Sequence, residues 1–156
     1  MKLSKIIAEK MANGGVLSID YRATLRETAK LMQEKHRAAL MVTDKDNFDP
    51  LKYKGVFTVL HFVDALASGA NPDLDKVEDH MTTRMIVATD SDDCDYAANV
   101  MIRHKLSHLP VIQNKKIVAL ISMADILEIE NIEKDIKLHW LSDFTGSAGG
   151  DRNQVF

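Results

Sequence analysis

Met85-Ile86-Val87-Ala88, read on to Leu109-Pro110-Val111, lies over Val16-Leu17-Ser18-Ile19, read on to Leu40-Met41-Val42, at a constant shift of 69 residues. In both stretches a short apolar run leads through polar residues into a helical pattern and then a second apolar run; Leu31-Met32 falls on Val100-Met101. Further on, Gly55-Val56-Phe57-Thr58 matches Ala119-Leu120-Ile121-Ser122 at a shift of 64, so the first copy carries five extra residues around Asp46-Asn47-Phe48-Asp49-Pro50. A repeat of this kind decides the fold before any motif does. Each copy alone, at about 55 to 65 residues, is marginal for independent stability, so the two are expected to pack as one pseudo-twofold body.

Working outward, Thr24-Leu25-Arg26-Glu27 has the form of a capping box and opens a helix running to about His36 with Leu25, Ala29 and Met32 on one face. Ala39 to Thr43 and Lys54 to Phe57 read as strands of an antiparallel hairpin with an enlarged loop, followed by a helix from about Thr58 to Ala67 that ends at Gly69. In the second copy a helix begins at Ser91 to Asp93 and runs to about Lys105. Leu109 to Ile112 and Ile117 to Ile121 are its strands, and a last helix starts after Ser122 and continues through Ile126, Ile129, Ile132 and Ile136 towards Trp140. An extra helix from Leu3 to Met11 stops at Asn13-Gly14-Gly15, and Gly146 to Phe156 reads as a flexible tail. The organisation expected is an N-terminal helix (1–15), a first repeat (16–69), a second repeat (70–128) and a helical extension with tail (129–156).

The 156 residues are 46% hydrophobic and 28% charged with a net charge of -3, which excludes a disordered or collagen-like chain and a strongly basic nucleic-acid binder. No apolar run approaches the roughly 18 residues that cross a bilayer, and Met1-Lys2-Leu3-Ser4-Lys5 leads into no apolar signal segment, so a cytoplasmic protein is expected. Cys94, the single cysteine, occupies the position of Leu25 in the other copy and reads as a small core residue. No Gly-rich phosphate loop, G-x-S-x-G elbow, H-E-x-x-H or metal-ligand spacing is present, so neither an enzyme nor a metal site is expected.

With strand, helix, strand, strand, helix found twice, the chain resembles the tandem CBS domain pair, the Bateman module. The features carrying the resemblance are Asp79-His80-Met81-Thr82 ahead of the second copy, His108-Leu109-Pro110-Val111-Ile112, and Leu120-Ile121-Ser122-Met123-Ala124-Asp125-Ile126-Leu127. It implies an α/β fold of two β-α-β-β-α repeats packed sheet to sheet, with two clefts that often bind adenine nucleotides or S-adenosylmethionine, and no catalytic cofactor.

Ser122 and Asp125 are the sharpest candidates. A carboxylate in the first turn of a helix accepts both hydroxyl protons of a ribose; equally, Ser-x-x-Asp is a reciprocal cap that needs no ligand. His61 stands where Asp125 stands in the other copy, and a neutral imidazole does not replace a carboxylate for a diol. The Thr58 cleft is therefore expected to be empty, weak or altered in specificity, with His61 a helix-surface residue. Asp64 follows one turn later. The resemblance places basic residues before the Pro110 strand, here Arg103, His104, Lys105 and His108; Arg103 and Lys105 also suit a charged helix end. Lys35, His36 and Arg37 are the corresponding group in the first copy, and Ser107 stands where a larger basic residue is common, which argues against a multi-phosphate ligand. The segment Thr82 to Val87, with Met85 and Ile86, is where the resemblance seats adenine, though both side chains also suit a plain core.

The expected function is a non-catalytic regulatory module that binds an adenosine-containing ligand (AMP, ADP, ATP, NAD or S-adenosylmethionine) and acts on a target enzyme or transporter in trans. The other reading is a ligand-independent scaffold. A homodimer is expected, through the apolar stripe from Ile126 to Trp140, unless Ile6, Ile7 and Met11 of the first helix cover that stripe within the chain.

Overall fold

A computed structural model describes residues 2–129. The chain runs α1 (Ser4–Ala12), β1 (Ser18–Asp20), α2 (Leu25–Lys35), β2 (Ala39–Thr43), β3 (Gly55–Thr58), α3 (Val59–Ala67), a single 3-10 turn at Val77–Asp79, β4 (Ala88–Thr89), α4 (Cys94–His104), β5 (His108–Gln113), β6 (Lys116–Ser122) and α5 (Met123–Ile129). It forms two three-stranded sheets, ordered β1-β2-β3 and β4-β5-β6; in each the first pair is parallel, joined by a helix, and the second is an antiparallel hairpin. This is the expected α/β architecture, each sheet built by one repeat.

The repeat is visible in backbone detail. In α2 the capping box forms as read: Thr24 Oγ1 accepts the Glu27 N–H at 3.1 Å and the Glu27 carboxylate accepts the Thr24 N–H at 2.8 Å. Helix α2 ends on left-handed His36 and α4 on left-handed Lys105, positions related by the same 69-residue shift. The insertion separates the hairpins: Asn114 and Lys115, both at positive φ, close β5 to β6 as a tight two-residue turn, whereas the longer first-copy loop is organised by Asp44, whose carboxylate accepts from the Asp46 and Asn47 amides. Thr24→Ala is expected to cost about 1 kcal/mol in urea unfolding, with Thr24→Ser near the parent.

The first strand of each repeat begins two to three residues later than its apolar run. Val16 and Met85 pack instead into a cluster between the two sheets with Ala39, Met41, Val56, Ile117 and Leu120, so the run joins the sheets before it enters the ladder. Outside this seam each repeat has its own core. The first is built around Phe57, Leu25, Leu40 and Val77. The second contains Cys94, Ala97, Met101, Leu109 and Ile121 and also takes Leu3, Ile6 and Ile7, so α1 crosses from its own repeat to cover the other one. Ile6 and Ile7 share that core with Ile126 and Ile129, so the start of the apolar stripe is covered within the chain, while Met11 stays 54% exposed. Ile132, Ile136, Trp140 and the rest of the expected extension lie outside the described residues.

Candidate functional site

Gly55 sets up the first cleft. A Cβ there would meet the Thr82 carbonyl oxygen at 2.7 Å, and because glycine has none, Val56 and Thr82 exchange both backbone hydrogen bonds (2.9 and 3.0 Å). The linker between repeats is thereby held along β3. A cavity of about 230 Å³ opens beside it, bounded by Thr58, Leu60, His61 and Asp64, by Thr82, Arg84, Met85 and Ile86, and by the turn from Lys105 to Pro110 of the second repeat.

His61 links these walls. Its Nδ1 accepts the Thr58 N–H at 2.9 Å, which leaves the ring proton on Nε2 to be donated to Thr82 Oγ1 at 2.7 Å, and the ring stacks on buried Phe57 with centroids 5.1 Å apart. The expectation of a plain helix-surface histidine is corrected: it is a half-buried cap residue fastened to the linker. Burial pushes its pKa below the ordinary histidine value, against the opposing Asp64 charge.

Asp125 lies in a separate cleft of about 320 Å³, lined by Ile6, Glu9, Lys10, Asn13, Arg37 and Glu128. Its Oδ2 accepts the Ser122 N–H (2.7 Å), the Ser122 hydroxyl (3.0 Å) and the Lys10 ammonium (2.9 Å), and the Asp125 N–H donates to Ser122 Oγ at 3.3 Å. The reciprocal cap is thus formed, with a lysine from α1 added to it. Burial drives the carboxyl pKa up, but Lys10 and the two Ser122 donors together hold it below the usual aspartate value. Arg37 donates to the Asn13 and Gly15 carbonyls at 2.9 and 3.2 Å and so pins the turn after α1.

Of the residues singled out in the sequence, Thr58, Thr82, Met85, Ile86 and His108 line one cleft, and Ser122 with Asp125 forms the start of α5 at the other. His108 pairs with Ser122 across the β5–β6 ladder; burial, then the nearby Lys10 charge, pushes its pKa down, while Asp125 opposes them. Arg103 is exposed on α4 and lines neither cleft. Sequence reasoning missed Lys10 and Arg84. Nothing in the spacing around Lys10 says that its helix crosses to the other repeat. Thr58-x-x-His61 did carry a signal, since it repeats Ser122-x-x-Asp125 with an imidazole in the accepting role.

Both His61 and His108 bind protons less well folded than unfolded, so their contribution is intact above the unfolded histidine pKa near ~6.5 and declines as pH falls below it. The melting temperature is expected to drop between about pH 7.5 and 5.5, with a smaller drop for His61→Gln.

Among the described residues no group of three or more His, Cys, Asp or Glu is placed to hold a metal ion, and no helix is long and apolar enough to cross a membrane. The CBS domain family model matches residues 8–68 and 77–131. The chain is 29% identical over 125 residues to a homoserine O-acetyltransferase of Methanosphaera stadtmanae; the match takes in 80% of this chain but spans only 24% of that protein's length. Among solved structures, a putative signal-transduction protein with CBS domains from Burkholderia ambifaria superposes with a TM-score of 0.75 at 23% identity, over 86% of this chain and 96% of that one. A CBS domain protein from Pyrobaculum aerophilum complexed with AMP gives 0.70 at 22% identity (88% and 99%). The CBS domain pair of protein MJ0100, complexed with 5'-methylthioadenosine and S-adenosylmethionine, gives 0.69 at 19% (85% and 98%). Two family matches in one chain, each building its own three-stranded sheet, place this protein in the CBS domain family as a tandem pair.

Proposed function

We propose that this CBS pair is a regulatory module that binds an adenosine-containing ligand between its repeats and passes the change to a target in trans. The observation that carries this reading is the Thr58 cleft, where an apolar wall of Met85 and Ile86 faces hydrogen-bonding groups at Thr58, His61 and Thr82, with Arg84 and Lys105 at the rim. Flat apolar surface beside a few convergent polar groups suits a nucleoside. Of the proteins with the same fold, one is complexed with AMP and another with 5'-methylthioadenosine and S-adenosylmethionine. At the second cleft Asp125 and Ser122 are the ribose-binding candidates, and a diol there either displaces the Lys10 ammonium or uses the other carboxylate oxygen, which has no hydrogen bond among the described residues.

The proposal includes a homodimer. Val59, Val63 and Leu66 on the outer face of α3, each about half exposed or more, form an apolar stripe of the kind a second copy covers. Those exposed residues also favour the other reading, a ligand-independent scaffold. Calorimetric titration with AMP, ADP, ATP, NAD and S-adenosylmethionine separates the two: heat from any of them supports the regulatory module, and silence from all at millimolar concentration supports the scaffold.

A further inference from the structure

The two clefts differ in charge. At the Thr58 cleft Arg84 and Lys105 stand against Asp64 alone, and neither cation has an ion-pair partner among the described residues. At the Asp125 cleft three carboxylates, Glu9, Asp125 and Glu128, stand against Lys10 and Arg37. Both of those cations are already committed, Lys10 to Asp125 at 2.9 Å and Arg37 to the Asn13 and Gly15 carbonyls. What remains uncommitted is positive at the first cleft and negative, through Glu9 and Glu128, at the second.

Hydrogen-bond polarity follows the same division. At the first cleft the ring nitrogen of His61 that accepts is consumed by the Thr58 N–H, so the position that holds a carboxylate in the other repeat presents a donor, Nε2–H, to Thr82. A ribose diol, itself two donors, finds no charged acceptor at that position, whereas a phosphate oxygen finds the two uncommitted cations, Arg84 and Lys105. At the second cleft the reverse holds, because Asp125 is an ionised acceptor.

We infer that the two clefts select ligands of opposite charge: the Thr58 cleft takes a phosphate-bearing nucleoside, and the Asp125 cleft takes a nucleoside without phosphate, uncharged or carrying a cation. This rests on the adenosine-binding reading above and assigns a ligand class to each of its sites.

The test is a titration of the full chain followed by backbone amide NMR, with AMP, adenosine and S-adenosylmethionine as probes. AMP is expected to shift the amides of Thr82, Arg84 and Lys105 and to bind there at least tenfold more tightly than adenosine. S-adenosylmethionine is expected to shift those of Lys10 and Asp125. The double variant Arg84→Gln/Lys105→Gln should weaken AMP at least tenfold while leaving S-adenosylmethionine binding and the melting temperature as in the parent. AMP shifting the Asp125 cleft instead, AMP and adenosine binding equally well, or an unaffected double variant overturns the inference and leaves the adenosine-binding reading standing. If no adenosine compound shifts any amide, that reading falls, and pyrophosphate decides the charge assignment by itself: shifts at Arg84 and Lys105 retain it, and no shifts there overturn it.

Discussion

Asp125→Ala is expected to destabilise the protein by about 2 to 3 kcal/mol and to weaken nucleoside binding at its cleft at least tenfold. The substitution removes the acceptor of three hydrogen bonds at once, from the Ser122 amide, the Ser122 hydroxyl and Lys10. The Lys10 and Asp125 side chains are 23% and 22% exposed, so the pair is well shielded from water, and the ammonium left behind loses its hydrogen-bonded counter-ion. Pairing Asp125→Ala with Lys10→Met should recover part of the loss, and a double-mutant cycle in urea should give a coupling of about 1 kcal/mol. The effect also has a pH signature. The folded-state pKa of Asp125 lies below its unfolded value, so the parent's advantage over Asp125→Ala is complete above the unfolded aspartate pKa of ~3.9 and disappears as pH falls through the lower folded value. A variant within 0.5 kcal/mol of the parent would mean that Lys10 and Ser122 gain nothing from this carboxylate.

Gly55→Ala is expected to cost about 3 kcal/mol, although it adds a single methyl group to a strand whose φ any residue can adopt. The cost is steric. The new Cβ would sit 2.7 Å from the Thr82 carbonyl oxygen and 2.8 Å from Met81 Sδ; the methionine can swing away, but the carbonyl belongs to a backbone held by Val56. Relief requires the linker to lift off β3, which breaks the two Val56–Thr82 hydrogen bonds and moves Thr82 away from His61. Urea unfolding measures the cost, and faster amide exchange at Val56 and Thr82 would locate it. Ligand affinity at the Thr58 cleft should fall in the same variant, because Thr82, Met85 and Ile86 are positioned by that linker.

The fold was legible because its signals are local and occur twice. Thr24-Leu25-Arg26-Glu27 declares its own helix start, and Gly69, at φ +86°, marks a helix end by conformation alone. The fully buried β2 stands out as Ala39 to Thr43 because every residue in it is shielded from water. The clefts were less legible because each is assembled from segments far apart in the chain. Thr58 and His108 meet across 50 residues, and Lys10 reaches Asp125 across 115. Arg103, chosen for its charge, lines neither cleft; Arg84, two residues from Thr82, reaches the first because the linker is turned by its pairing with Val56. His61 illustrates the difficulty most clearly. Its deviation from the other copy was visible, but its role depends on where Thr82 lies, and only the folded linker determines that.

The crossing of α1 has a mechanical consequence. Leu3, Ile6 and Ile7 are almost wholly buried against the second repeat, while Arg37 of the first repeat grips the turn that follows. The helix therefore works as a strap: it connects residue 2 to the floor of the far repeat and, through Lys10, to the carboxylate of Asp125. One end of the chain is thus tied to the core of the second repeat and to Asp125, and the turn that follows the helix is tied to the first repeat.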